Sequence, residues 1–329
     1  MNYGSSILGI ILAVCLAVSC SPPPPSSQTT QSSLSEAKLD SPYLIVLGNV
    51  QDGGSPHIGC QKTCCQALFK QAAPHRMVVC LGLVDPQNHA SYLFEATPDL
   101  TRQVQQLGVQ LDQAPAPYSL PKGIFLTHAH IGHYSGLMYL GKEALGGKNI
   151  PVYAMPRMQA FLRENGPWSQ LINLNNIELR PLEADQPISL SPYLSTTPFR
   201  VPHRDEFSET VGYLIQGSQR SALFIPDIDK WEKWDQDLVQ WLSRVDYAFL
   251  DATFYDAEEV NHRDIRSIPH PFVIETMEKL AKLSAEEKKK VYFIHMNHTN
   301  PLLDPASAAS QEVLNQGYKV ARFGDRFHL

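Results

Sequence analysis

Hydrophobic positions along this chain come mostly in short unbroken runs, not in long helical stripes. Tyr43-Leu44-Ile45-Val46-Leu47-Gly48 is one such run, and its length and composition predict a buried strand. Apolar stretches at 77–84 and 91–94 flank Asp85-Pro86-Gln87-Asn88, a turn composition that predicts a hairpin. Further strands are expected at 123–127, 150–154, 177–182, 199–202, 211–216, 222–225, 247–251, 291–295 and 319–322. Helices are expected over 100–107, 134–145, 156–165, 231–242 and 272–283. Trp231, Trp234 and Trp241 share one face of the fourth helix, and that face reads as core. Strand-rich halves with interspersed helices suit two packed sheets with helices outside.

The N-terminus departs from this pattern. Residues 7–18 are apolar over about the length of a signal core and are short for a spanning helix. The run ends in Leu16-Ala17-Val18-Ser19-Cys20, which resembles a bacterial lipoprotein signal, although no Lys or Arg precedes it. Cleavage before Cys20 would leave that thiol acylated and the protein lipid-anchored in the cell envelope, facing the periplasm or in the outer membrane. Ser21-Pro22-Pro23-Pro24-Pro25 opens a polar stretch that cannot bury a core and reads as a solvated tether. The expected organisation is therefore a signal at 1–20, a tether at 21–42 and a folded domain at 43–329.

Composition narrows the partners. The chain has 27 Lys+Arg against 33 Asp+Glu, a formal charge of −6, which disfavours a nucleic-acid binder with a broad basic face. A small-molecule substrate is the expected partner, with the membrane reached only through the lipid on Cys20. Beyond the signal, Cys60, Cys64 and Cys65 cluster in Gly59-Cys60-Gln61-Lys62-Thr63-Cys64-Cys65. In an exported protein such a cluster reads as a disulfide, free thiols or a structural metal site with His57 as a fourth ligand.

The most informative segment is Leu126-Thr127-His128-Ala129-His130-Ile131-Gly132-His133. On an extended backbone His128 and His130 point the same way and can share one ion. Gly132 lets the chain turn, and His133, at the start of a helix, can face a second position. Other predicted strands end in His203, Asp227 and His295, where a sheet edge could gather them. Imidazole is a ligand suited to zinc.

These residues, in this order, resemble the metallo-β-lactamase fold superfamily. Within it, the sequence resembles the branch containing the pyrroloquinoline-quinone biosynthesis protein B. The resemblance to that branch rests on Gly53, Gly54 and Cys60, on Ala96-Thr97-Pro98-Asp99-Leu100, on Leu250-Asp251-Ala252-Thr253, and on His295-Met296-Asn297-His298-Thr299-Asn300-Pro301. It implies an α/β (α+β) fold, the four-layer αββα sandwich of the metallo-β-lactamase type. It also implies a zinc site of one or two ions, with iron or manganese as alternatives. His128, His130 and His203 would hold one ion; His133, Asp227 and His295 would serve a second, with Asp227 bridging and a hydroxide between them. The usual superfamily motif, His-x-His-x-Asp-His, has an aspartate where this chain has Gly132. Either three ligands hold the second ion, or Asp52, Asp99 or Asp205 fills the gap, or one metal suffices. The quinone-biosynthesis branch usually lacks the first histidines, which this chain keeps.

Three further residues have candidate roles. His270, between Pro269 and Pro271, is positioned to protonate a leaving group as general acid, as loop histidines do in related hydrolases. His298 is expected to contact substrate or orient His295, and Asp251 to hold a ligand's second ring nitrogen. The expected function is an exported hydrolase of an ester, phosphodiester or amide-like substrate, with Asp227 in the catalytic centre. The alternatives are an oxidative metalloenzyme resembling the quinone-biosynthesis branch and a non-catalytic metal-binding lipoprotein.

Overall fold

The structure, a computed structural model, describes residues 41–70, 76–111, 120–261 and 264–329. The expected signal and the tether up to residue 40 lie outside the described residues. Ser41 and Pro42 already dock on the C-terminal segment: Ser41 Oγ lies 3.0 Å from His328 Nδ1, and Leu329 N donates to Pro42 O at 2.9 Å. No helix among the described residues is long and apolar enough to cross a membrane.

The first sheet contains β1 (Tyr43–Gly48), β2 (Cys80–Asp85), β3 (Ala90–Phe94), β4 (Gly123–Phe125), β5 (Ile150–Ala154) and β6 (Ile177–Pro181). The second contains β7 (Ile188–Ser191), β8 (Leu194–Arg200), β9 (Val211–Gln216), β10 (Ser221–Ile225), β11 (Tyr247–Asp251), β12 (Val291–Ile294) and β13 (Lys319–Val320). The last strand, β14 (Arg326–His328), returns to the first sheet, giving orders β14-β1-β2-β3-β4-β5-β6 and β13-β12-β11-β10-β9-β8-β7. The continuous apolar run of β1 follows from burial on both faces. Leu44 and Val46 enter the core between the sheets, while Tyr43, Ile45 and Leu47 join Leu100 and Leu107 of a covering helix. The expected αββα sandwich is what forms.

Strand direction gathers the chemistry. β10, β11 and β12 are parallel. β9 is antiparallel to both β8 and β10, so β8 runs with them. The C-terminal ends of β8, β10, β11 and β12 therefore open at one rim, followed by or ending in His203, Asp227, Asp251 and His295. The end of β4 reaches the same rim from the other sheet, where Val211 N donates to Thr127 O at 3.2 Å. Tyr213 adds a second tie by donating its hydroxyl to Leu126 O.

Two expected helices are broken. The one expected over 134–145 is a helical turn, Ile131–Tyr134, followed by a 3-10 helix, Ser135–Leu140. Gly136 is pressed against the Thr97 carbonyl, where a Cβ would lie 1.9 Å away, and this contact fixes the path. The tryptophan segment splits into a 3-10 turn, Trp231–Lys233, and a helix, Leu238–Ser243, with Trp234 extended between them. Each anchor has its own partner. Trp231 Nε1 donates to Thr276 Oγ1 at 2.8 Å and Trp234 Nε1 to Arg200 O at 3.1 Å. Both rings are buried, with Trp241 packed against the same core, so the face reads correctly although the helix does not continue. The helices Thr63–Lys70, Trp168–Asn173 and Ala308–Asn315, and the strands β7 and β14, add to the expected elements.

Candidate metal centre

Three hydrogen-bond chains set the imidazoles at the rim. Thr127 Oγ1 donates to Glu95 Oε1 at 2.6 Å, so it must accept from His128 Nδ1, 2.9 Å away. His128 is then left with an unprotonated Nε2. His133 Nδ1 donates to the same Glu95 oxygen at 3.0 Å, turning its Nε2 inward. Thr253 Oγ1 donates to Asp251 Oδ1 at 2.7 Å and accepts from His295 Nδ1 at 2.8 Å, which turns His295 Nε2 inward as well. The remaining ring nitrogens thus face the centre, the arrangement by which outer partners orient metal-ligating histidines. His295 is held at φ 65°, a conformation bulky residues rarely adopt, so the surrounding structure imposes it.

Asp227 lies at the middle. Its Oδ2 is 3.4 Å from His128 Nε2, 3.8 Å from His133 Nε2, 3.9 Å from His295 Nε2 and 4.0 Å from His130 Nδ1. Its Oδ1 is 3.3 Å from His203 Nε2. Donor atoms of His128, His130, His203 and Asp227 lie within 4.8 Å of one another, and so do those of Asp52, His133, Asp227 and His295. Ligands of one tetrahedral zinc stand about 3.3 Å apart, which follows from bonds of about 2 Å. The observed spacings bracket that value.

Electrostatics point the same way. Burial would raise the Asp227 carboxyl, yet His203, His270 and His295 hold it well below the usual range. Burial opposes charge on His133, but Glu95 and Asp52 push it well above its ordinary value. His295 is likewise pushed up to about 9, chiefly by Asp227 against burial. Burial brings His203 down to about 4. The carboxylates thus favour positive charge at His133 and His295, whereas burial disfavours it at His128 and His203. Both ring nitrogens of His203, and Asp227 Oδ1, are buried without a hydrogen bond. His130 turns Nε2 to Glu206 Oε2 at 3.2 Å, which leaves its Nδ1 facing His128 Nε2 at 2.8 Å. Buried orphan acceptors and facing lone pairs are costly by themselves and are resolved by a metal ion. The residues present fit one.

The other residues with predicted roles settle into distinct places. His270 Nδ1 lies 3.0 Å from Asp251 Oδ2 and 3.1 Å from Asp227 Oδ1, so it stands at the centre's edge; against burial, these carboxylates push it up to about 10. Asp251 therefore serves His270 and, through Thr253, His295. His298 is elsewhere: its donor atom groups with the thiols of Cys60, Cys64 and Cys65. The expectation that it orients His295 is thereby corrected, because Thr253 and Asp251 already occupy His295 Nδ1. His57 stacks on His298 at 4.3 Å between ring centroids, gives its backbone N–H to Cys65 Sγ and sets its own Nδ1 2.8 Å from Ile58 O; the donor that groups with the thiols is that of His298. The cysteines are free; Cys64 Sγ is 3.9 Å from both Cys60 Sγ and Cys65 Sγ. Of the carboxylates offered for the gap at Gly132, Asp99 instead accepts from Val78 N at 2.9 Å and Asp205 from Thr210 Oγ1 at 2.8 Å. Sequence reasoning misses Glu95. Its only signal is an acid directly after a predicted strand and before Ala96-Thr97-Pro98.

This rim of histidines between two sheets defines the class, and a family model confirms it: residues 91–296 match the β-lactamase superfamily domain, and the chain belongs to that family. Within it the chain is similar to coenzyme PQQ synthesis protein B. It is 24% identical over 301 residues to the protein from Xanthomonas campestris pv. campestris, covering 85% of this chain and 98% of that one. It is 23% identical over 305 residues to the protein from Methylorubrum extorquens, covering 86% and 98%. Among solved structures, zinc-bound PqqB from Methylobacterium extorquens aligns with a TM-score of 0.71 at 21% identity, over 87% of this chain and all of that one. A diphosphatase of the PhnP family aligns with a TM-score of 0.62 at 22% identity, over 88% and 97%.

Proposed function

We propose that this protein is a metal-dependent hydrolase of the cell envelope, acting on an ester, phosphodiester or amide-like small molecule. The observation that carries the reading is the convergence of His128, His130, His133, His203 and His295 on the buried carboxylate of Asp227, with donor atoms left unpaired. His128, His130, His203 and Asp227 would hold one zinc; His133, Asp227 and His295 would serve a second. Bound there, a divalent ion supplies Lewis acidity and lowers the pKa of water. The chain's own residues do the rest. Glu95, Thr127 and Thr253 fix the ring tautomers. His270, at the edge of the centre beside Asp227 and Asp251, would supply a proton to a leaving group as general acid.

Cys60, Cys64, Cys65 and His298 would hold a separate structural zinc. Burial and the neighbouring thiols push Cys64 up to about 12, whereas a backbone hydrogen bond at Lys62 lowers Cys60; a cation bound among the sulfurs would favour the thiolate form of each. The resemblance of residues 16–20 to a lipoprotein signal supports the envelope localisation; Cys20→Ser should release the protein from the membrane fraction.

The test is metal analysis with a hydrolysis panel of phosphodiesters, lactones, esters and β-lactams. His130→Ala should lower both zinc content and turnover; unchanged values would sink the reading. The similarity to PQQ synthesis protein B supports a second reading, an oxidative role with iron. Oxygen uptake by iron-loaded protein, with the hydrolysis panel silent, would select it.

A further inference from the structure

The motif at the start of the short helix Ile131–Tyr134 has no side chain at Gly132, and the structure shows what takes up that space. A Cβ built on Gly132 would lie 2.5 Å from Asp52 Oδ1, 2.6 Å from Asp52 Cα and 2.7 Å from Asp52 Cγ. The carboxylate of Asp52 therefore stands where a side chain at position 132 would begin. Asp52 Oδ1 is 3.0 Å from His133 Nε2 and 3.4 Å from His295 Nε2, the nitrogens that the Glu95 and Thr253 chains turn inward.

Asp52 is not there by the chance swing of a loop. The strap after β1 is laced into both neighbours. Asn49 N donates to Met77 O at 2.9 Å, Val79 N to Val50 O at 2.8 Å, Met296 N to Asn49 O at 2.9 Å and Gln51 N to Met296 O at 2.9 Å. The strap thus runs beside the residue that follows His295, and the next residue along it is Asp52. Gly54 then turns the chain away at φ 70°. The carboxylate is delivered from a main chain fixed on two sides, and its side chain is only 12% exposed.

We infer that Asp52 is the fourth ligand of the second metal position, with His133, Asp227 and His295, and that Gly132 is glycine because Asp52 fills its side-chain space. This rests on the metal-binding reading above and deepens it. A carboxylate usually supplied next to His133 in sequence comes instead from a strap some eighty residues earlier. Because the second position then has two carboxylates and two imidazoles, it is complete without any residue outside the described rim.

The experiment compares wild type, Asp52→Asn, Asp52→Ala, Gly132→Ala, His295→Ala and Asp52→Ala/His295→Ala. Each is loaded with zinc, desalted and assayed for bound metal by mass spectrometry. A cobalt-loaded set is read by absorption, in which thiolate charge-transfer bands report the cysteine cluster separately from the His/Asp centre. Circular dichroism confirms folding, and Asp52→Asn preserves shape should the alanine variant misfold. Asp52→Asn and Asp52→Ala should each lose one equivalent, the same one lost by His295→Ala, and the double variant should lose no more. Gly132→Ala should lose it too, although residue 132 offers no donor. If Asp52→Ala keeps the wild-type content, or Gly132→Ala keeps both its ions and its melting temperature, the assignment is overturned. A wild type with one ion at the rim overturns this assignment alone. A wild type with none there overturns the metal-binding reading together with it.

Discussion

Among the described residues, two clusters of side chains could hold a metal, and they are built in opposite ways. The rim centre draws residues from strand ends spread between His128 and His295, with Asp52 arriving from the strap after β1. Glu95, His128, His133, Asp227, Asp251 and His295 are all buried. Each imidazole turned inward there by an outer hydrogen bond has its angle set before any ion arrives. The cysteine cluster takes its thiols from one loop and the first turn of Thr63–Lys70, plus His298 from the chain beyond His295. Cys60 and Cys64 are only partly buried, and the polar partners of the thiols are one another and backbone N–H groups of their own loop. The sandwich organises the first cluster, whereas the second rests on a loop whose order, on the proposed reading, would come from a bound ion.

The largest effect should come from the residue both rim positions share. Asp227→Asn keeps the shape of the side chain but removes its charge from among the imidazoles. Loss of both rim ions is expected, with turnover down about a thousandfold or more, since metal stabilisation of developing charge is worth several kcal/mol. Metal content and hydrolysis together check it. Retention of one full equivalent at the rim would mean that Asp227 does not bridge the two positions.

Next come the residues that aim the ligands without being ligands. Glu95→Gln should leave the fold intact but loosen His133 and, through Thr127, His128. Thr253→Val should do the same to His295. Losses of about 10- to 100-fold in metal affinity are typical for such outer partners. Competitive chelator titration measures them. If these variants bind metal as tightly as wild type, the rim is not preorganised, and the contrast with the cysteine cluster fails.

How much of this is legible in the sequence follows the same division. Strands ending in His203, Asp227 and His295 can be read because a buried strand announces itself by its run of apolar residues, and the next polar residue falls at the sheet edge. The His128–His133 motif is legible for the same reason. Asp52 and Glu95 are harder. Asp52 stands only as one of several candidates, because the lacing of its strap between Met77 and Met296 joins segments remote in sequence. Glu95 hydrogen-bonds residues more than thirty positions away, and nothing local marks it. The helix expected over 231–242 breaks for a related reason: indole N–H groups anchored to Thr276 and Arg200 override the local periodicity. His298 is misplaced by sequence because proximity to His295 suggests a shared role, while the left-handed His295 backbone redirects the chain.

The smallest effect at the rim, and the sharpest test of the division, should come from Cys64→Ser. The cysteine loop and the rim share two segments, the chain after Asp52 and the chain after His295, so a disturbance has two routes inward. Both are guarded. Asn49 and Gln51 are tied to Met77 and Met296 by main-chain bonds, and Asn300 Nδ2 donates to Ala252 O at 2.7 Å just beyond His298. Gly54 and Gly59, at φ 70° and 72°, lie between Asp52 and the first thiol and can absorb a local rearrangement. Cys64→Ser should therefore empty the cysteine site and speed hydrogen exchange over residues 55–70, while rim metal content and turnover stay within about twofold, a difference of well under 1 kcal/mol. Exchange mass spectrometry and cobalt spectra read the two regions separately. If the variant also emptied the second rim position, Asp52 would owe its place to the thiols and not to the strap, and the two clusters would be one cooperative unit.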